Sequence, residues 1–97
     1  MVEIPFVSAA REEFLAAADD YDAASAGLGE EFIAEVEKAV ARIASFPDHG
    51  SAYYSGTRRI VLRRFPYDIV YRESSTGLVV IAVAHHRRRP FYWRNRA

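Results

Sequence analysis

The chain has 97 residues, 51% of them hydrophobic, and contains no cysteine. This length and composition favour a single folded domain over residues 1–97, and the absence of cysteine excludes disulfide bonds and cysteine-based metal sites, as suits a reducing cytoplasm. The formal net charge is zero, but the two halves of the chain differ in charge. Residues 1–50 carry eleven acidic and three basic side chains, a formal charge of −8. Residues 51–97 carry two acidic side chains and ten arginines, a formal charge of +8.

The first quarter of the chain predicts a short strand followed by a helix. Val2–Val7 is typical of a strand, and Pro5 favours a place for it at the edge of a sheet. Ser8 is a candidate helix cap, and Ala9–Ala26 repeats alanine and aromatic residues at spacings of three and four. These features predict an edge strand and a first helix.

A second helix is predicted after the break at Gly27-Leu28-Gly29. It extends to about Phe46, where Pro47 ends it. Its apolar residues form a stripe at helical spacing, consisting of Phe32, Val36, Ala39, Val40 and Ile43. The short connection predicts that the two helices form an antiparallel hairpin.

The second half changes to the alternating period of strands. Three strands are predicted, Arg58–Arg64, Tyr67–Glu73 and Leu78–Ala84, with a turn at Phe65-Pro66 and a hairpin loop over Ser74–Gly77. The expected fold class is therefore α+β in the order β-α-α-β-β-β: an edge strand and an antiparallel helical hairpin packed on a small antiparallel sheet.

The sequence offers little support for a cofactor, a metal site or membrane contact. Gly27-Leu28-Gly29 lacks the spacing of a phosphate-binding loop, and His49, His85 and His86 have no companion ligands at metal spacing. No apolar run approaches the roughly 20 residues that span a bilayer, and the first residues lack the layout of a signal peptide. We therefore expect a cytoplasmic protein without cofactors that contacts no membrane.

The arginines of the second half are interleaved with aromatic residues and form its most distinctive feature. Arginine binds phosphates, and exposed aromatic rings can stack on unpaired bases. Two readings remain open, because the arginines can equally pair with the acidic helices and the rings can be core residues. Composition alone therefore predicts a basic face that binds an acidic partner, or an internal attraction between the halves.

Two segments carry a resemblance to a known family. Arg63–Arg72 reads RRFPYDIVYR and follows Arg58-Arg59, while Val83–Trp93 reads VAHHRRRPFYW. In this order they resemble the later strands and the tail of ParE/RelE-type toxins of type II toxin–antitoxin systems. The predicted helical hairpin also resembles that of the family, because Gly27-Leu28-Gly29 is followed by the apolar stripe and then by Pro47.

The resemblance implies two helices against an antiparallel sheet and a cognate antitoxin that neutralises the toxin in a hetero-oligomer. It also implies one of two actions. RelE-like members cleave messenger RNA on the ribosome without a metal, whereas ParE-like members inhibit DNA gyrase and need no catalytic residue.

Two departures favour the ParE-like branch. RelE-like nucleases place basic residues at two alternating positions of the second strand, and here Arg59 fits but Val61 does not. They also place an arginine after the aromatic residue that opens the third strand, where this chain has Asp68, and a carboxylate there would repel the scissile phosphate. Gyrase inhibition is therefore the preferred interpretation.

Three functions follow as hypotheses, each with its own residues. A gyrase inhibitor would contact its target through basic and aromatic residues, namely Arg58, Arg64, Arg72, Arg88, Arg89 and Trp93. A ribosome-dependent nuclease would instead use Arg59, Arg63, His86, Arg87 and Tyr92 as cations and proton carriers. The third hypothesis is a non-toxic binding module that uses the arginine-rich face for an acidic protein or nucleic acid.

Overall fold

A computed structural model describes residues 4–96 as two helices and a four-stranded sheet. The helices are α1 (Ser8–Ala24) and α2 (Leu28–Ser45), and the strands are β1 (Ser51–Ala52), β2 (Arg58–Val61), β3 (Tyr67–Ser74) and β4 (Gly77–His85). A short 3-10 turn at Tyr54–Gly56 joins β1 to β2. All neighbouring strands are antiparallel, in the order β1-β2-β3-β4. The α+β prediction is confirmed, with one more strand than expected after the helices.

The two helices follow from their apolar faces. In α2 the predicted stripe is the buried face, whereas α1 buries the small residues Ala10, Ala17 and Ala18, which allow close packing on α2 and β4. Gly27, at the N-cap position directly before α2, has φ 86°, the left-handed conformation that glycine adopts most readily. The prediction that Ser8 caps α1 is wrong: Ser8 is the first helical residue, and the capping position is held by Val7, which makes no side-chain capping bond.

The predicted N-terminal edge strand is reduced to an isolated bridge beside β4. Phe6 pairs with Val80 in parallel orientation, with Val7 N–H donating to Val80 O at 3.0 Å and Val80 N–H donating to Pro5 O at 2.9 Å. Residues 2 and 3 of the predicted strand lie outside the described residues. The segment therefore covers part of the free edge of β4 without extending the sheet further.

The meander differs from expectation at β2 and before it. The predicted strand over Arg58–Arg64 ends at Val61, because Leu62 turns into the core and donates its N–H to Tyr67 O at 3.0 Å. Arg63 therefore lies in an exposed loop. The additional strand β1 has only two residues, too few for an alternating pattern to reveal it.

The sheet is covered on both faces, and the second cover positions the candidate site. One face packs on the helices through Ile69 and Tyr71. The opposite face carries Val70 and Ala82 and is covered by Trp93, which belongs to a C-terminal tail of successive turns, residues 86–95. Within residues 4–96, neither helix has the length and hydropathy required to cross a bilayer.

Candidate functional site

A cleft of about 380 Å³ opens between the sheet and the C-terminal tail. We call it the tail cleft, and the arginine, aspartate and histidine residues in its lining are Arg59, Asp68, His85, His86, Arg88 and Arg89. The sheet brings Arg59, Asp68 and His86 together, because Asp68 on β3 pairs with Val61 on β2 and with Ala84 on β4, and His86 follows directly after β4. Side chains two residues apart on a strand share a face, so Arg59 lies on the same face as Val61. Residues of the C-terminal tail form most of the rest of the cleft lining.

Asp68 lies at the base of the tail cleft and contacts both Arg59 and His86. The residue is only 8% exposed. Its Oδ1 lies 2.8 Å from His86 Nε2, and its Oδ2 accepts a hydrogen bond from Arg59 Nη1 at 3.3 Å. The Arg59 guanidinium also lies over the Tyr53 ring, 4.4 Å from its centroid. Arg59 and His86 are therefore both already paired with a buried carboxylate.

Glu13 forms a second centre, which fastens the tail to α1 and β4. Its carboxylate accepts hydrogen bonds from Tyr92 Oη at 2.5 Å, from Arg96 Nη1 and Nη2 at 2.8 and 3.0 Å, and from Val83 N–H at 3.1 Å. Arg88 lies farther away, at 3.9 Å. We call this arrangement of Glu13, Tyr92, Arg96 and Val83 the Glu13 latch.

The latch determines the chemistry open to Tyr92. Burial, and then the hydrogen bond to Glu13, raise the pKa of Tyr92 well above its ordinary value. The phenol therefore keeps its proton at neutral pH and donates a hydrogen bond to a carboxylate. A tyrosine in this state anchors structure and is a poor general base.

The predicted nuclease residues are only partly assembled. Arg59, His86 and Tyr92 line the tail cleft, whereas Arg63 and Arg87 do not. Both of those arginines are exposed. The structure therefore gathers three of the five residues and leaves two outside the cleft.

The predicted target-binding residues fall into three groups. Arg88, Arg89 and Trp93 line the tail cleft, although Trp93 is only 4% exposed and forms the centre of the core beneath the tail. Arg72 lines a second, smaller pocket. The third group, Arg58 and Arg64, lines neither pocket.

Arg58 and Arg64 are held by acidic residues of the first half of the chain. Arg64 Nη2 lies 2.6 Å from a carboxylate oxygen of Glu31, and Arg58 Nη2 lies 3.5 Å from one of Asp48. Together with the Glu13 latch, these pairs show that part of the charge asymmetry is internal. The remaining arginines form the basic surface.

Several site residues carry no signal that sequence reasoning could use. Tyr54 stacks on Phe91 with ring centroids 4.6 Å apart, and Tyr53 and Trp93 complete an aromatic cluster. Phe91 has φ 59°, an uncommon conformation for a bulky residue. Glu13 lies 79 residues before Tyr92, so only the tertiary fold reveals that they meet.

Comparison with known proteins agrees with this architecture. Residues 6–90 match the family described as the ParE toxin of the type II toxin–antitoxin system, parDE. Among solved structures, the chain is similar to one from the chromosomal ParDE toxin–antitoxin system of P. aeruginosa, with a TM-score of 0.70 and 15% sequence identity over 88% of this chain and 96% of that one. At this identity the likeness shows the fold alone. No curated protein sequence matches the chain significantly.

Proposed function

The chain belongs to the ParE toxin family of type II toxin–antitoxin systems, and from this premise we propose that it inhibits DNA gyrase and is neutralised by a cognate antitoxin in the cytoplasm. The action requires binding and no chemical step by the toxin itself. The alternative within the wider resemblance is ribosome-dependent cleavage of messenger RNA. The geometry of the tail cleft supports the first action over the second.

The observation that carries the proposal is the pairing of three candidate catalytic groups in the tail cleft, Arg59, His86 and Tyr92, with carboxylates. RNA cleavage without a metal needs a free proton acceptor and a cation directed at the scissile phosphate. Here Asp68 accepts a hydrogen bond from Arg59 and lies within hydrogen-bonding distance of His86, and the Tyr92 hydroxyl donates a hydrogen bond to Glu13. Since Asp68 is buried, a phosphate entering the cleft would meet a fixed negative charge.

The tail also provides a docking surface. Arg87 and Arg89 are exposed, and neither forms an ion pair with any residue between 4 and 96. Val61, which exposes 51% of its surface, lines the tail cleft with Arg89, and Tyr54, which exposes 45%, stacks on Phe91 of the same lining. Exposed arginines next to apolar and aromatic groups are typical of interaction sites, so this surface supports contact with gyrase and coverage by an amphipathic segment of the antitoxin.

The test is a pair of assays on the purified protein, one of DNA supercoiling by gyrase and one of messenger RNA cleavage on programmed ribosomes. We expect loss of supercoiling, accumulation of cleaved DNA complexes and intact RNA. Ribosome-dependent RNA cuts with normal supercoiling would establish the nuclease alternative instead. Absence of both effects, together with no growth arrest on expression, would leave a non-toxic binding module.

A charge-removal series locates the contact surface. The double variant Arg87→Ala/Arg89→Ala should weaken inhibition of supercoiling by roughly tenfold or more, since exposed arginines in interfaces are frequent hot spots. The control is Arg42→Ala, which removes an exposed arginine from α2. Equal inhibition by both variants would exclude the tail arginines as contacts.

A further inference from the structure

A second pocket, of about 210 Å³, lies where β3, β4 and the C-terminal tail meet. We call it the arginine pocket, because Arg72, Arg94 and Arg96 line it and no acidic residue does so within the described part of the chain. Pockets that hold a whole small molecule usually enclose about 300–1,000 Å³. The arginine pocket is therefore sized for one anionic group of a ligand.

Two of the three arginines keep their charge available. Arg96 is neutralised by its two hydrogen bonds to Glu13. Arg72 and Arg94, by contrast, form no ion pair with any residue in the range 4–96. Arg94 donates one hydrogen bond to Phe91 O at 3.2 Å, which helps to orient its guanidinium and leaves its other N–H groups for a ligand.

The floor and rim of the arginine pocket favour binding of an anion. The floor consists of Ile81, Thr57 and Trp93, which are 2%, 6% and 4% exposed. Charges over such a buried floor interact more strongly than charges in open water. At the rim, Ser55 has φ 55°, and backbone strain of this kind in a non-glycine residue concentrates at functional sites.

We propose that the arginine pocket binds a phosphate group, which Arg72 and Arg94 contact through their guanidinium N–H groups and Ser55 through its hydroxyl. Guanidinium groups match the geometry of phosphate oxygens. A phosphate monoester carries about −1.5 to −2 charges, which two unpaired arginines balance. A backbone phosphodiester carries one charge, like a carboxylate, but presents the tetrahedral oxygens that guanidinium groups match. The phosphate comes either from a free or small phosphorylated compound or from the backbone of a nucleic acid. This site is separate from the proposed action on gyrase and is tested without gyrase.

The protein contains its own reporter for this site. Trp93 is the one tryptophan of the chain and lines the arginine pocket, so an anion bound there should change its fluorescence. We would titrate the full chain at low salt with inorganic phosphate and, in parallel, with a single-stranded oligonucleotide. A saturable change with phosphate alone indicates a small phosphorylated ligand, and a change with the oligonucleotide indicates a nucleic acid.

Variants separate the arginine pocket from the rest of the surface. Arg72→Gln and Arg94→Gln should each weaken binding at least tenfold, and each should reduce the salt dependence of oligonucleotide binding by about one unit of slope. Arg42→Gln, on α2, removes the same charge and should leave binding unchanged. Arg72→Lys keeps the charge but loses the forked geometry, so it should bind with intermediate affinity and serves as a second variant if Arg72→Gln folds poorly.

Three results would overturn the proposal. The first is the absence of any fluorescence change with either anion, and the second is equal affinity for the wild-type, Arg72→Gln and Arg94→Gln proteins. The third is loss of binding in Arg89→Gln but not in Arg72→Gln, since Arg89 lines only the tail cleft and that result would place the anion there.

Discussion

Removal of the Glu13 carboxylate should loosen the C-terminal tail and lower the stability of the protein. Glu13→Ala takes away the acceptor of the Tyr92 hydroxyl, of two Arg96 N–H groups and of the Val83 N–H. The side chains of Glu13 and Arg96 are only 14% and 20% exposed. The groups left behind therefore regain little contact with water unless the tail moves.

The size of the effect follows from the groups left without a partner. Breaking a fully buried ion pair costs about 3–5 kcal/mol, and each buried hydrogen-bonding group left without a partner costs about 1–3 kcal/mol. Because water still reaches this pair, we expect a loss of about 3 kcal/mol in the free energy of unfolding for Glu13→Ala. For a chain of this size, that loss lowers Tm by roughly 12–24 °C. Glu13→Gln keeps an acceptor and the shape of the side chain, so it should cost less.

Urea unfolding followed by tryptophan fluorescence measures this loss, because Trp93 is buried beneath the tail. Glu12→Ala is the matched control: Glu12 is the exposed neighbour on the same helix and should change the free energy of unfolding by less than about 0.5 kcal/mol. A difference of less than 0.5 kcal/mol between Glu13→Ala and Glu12→Ala would refute the role given to the latch. A double variant with Arg96→Ala should lose much less than the sum of the two single changes.

Three further predictions concern single groups in the fold. Because the fold raises the pKa of Tyr92, the unfolded chain loses the phenol proton at lower pH than the folded chain does. The free energy of unfolding should therefore fall as the pH rises above about 10. In urea unfolding, Tyr92→Phe should reduce this pH dependence by up to about 1.4 kcal/mol per pH unit. Buried Tyr71 accepts a hydrogen bond from Gly50 N–H at 2.9 Å and donates one to Pro47 O at 2.7 Å. Tyr71→Phe should therefore lower the free energy of unfolding by about 2 kcal/mol in the same assay, and an unchanged urea midpoint would contradict these bonds. Gly27→Ala places a Cβ at φ 86° and should lower the free energy of unfolding by about 1 kcal/mol, detectable as a lower Tm; no change would indicate that the connection relaxes.

Periodicity predicted the elements that bury a continuous apolar face. The helical stripe of α2 and the apolar run of β4 (Gly77–His85) each specify one arrangement, because a shift would expose the buried side chains. β1 (Ser51–Ala52) and the tail have no such pattern. The tail is held instead by Trp93 beneath it and by the Glu13 latch, and contacts across more than 70 residues leave no local signal in the sequence.

The tail cleft shows where sequence reasoning about a site succeeds and where it ends. The alternation of β2 correctly placed Arg59 and Val61 on one face, and Asp68 had already been identified as unfavourable for phosphate. The pairing of Asp68 with both Arg59 and His86 depends on the register of three strands, which the sequence did not specify. Only the fold shows that the Asp68 carboxylate contacts both Arg59 and His86.

The division of the arginines into paired and unpaired groups connects the fold to its proposed functions. Arg96 stabilises the position of the tail through Glu13, and the same tail places Trp93 between the tail cleft and the arginine pocket, since it lines both. Arg72 and Arg89, which form no ion pair with a described residue, line one pocket each. If the latch opens, both pockets lose their shared wall while all unpaired arginines keep their charge. Glu13→Ala should therefore weaken gyrase inhibition and phosphate binding together, whereas removal of Arg94, which lines the arginine pocket, should weaken phosphate binding alone.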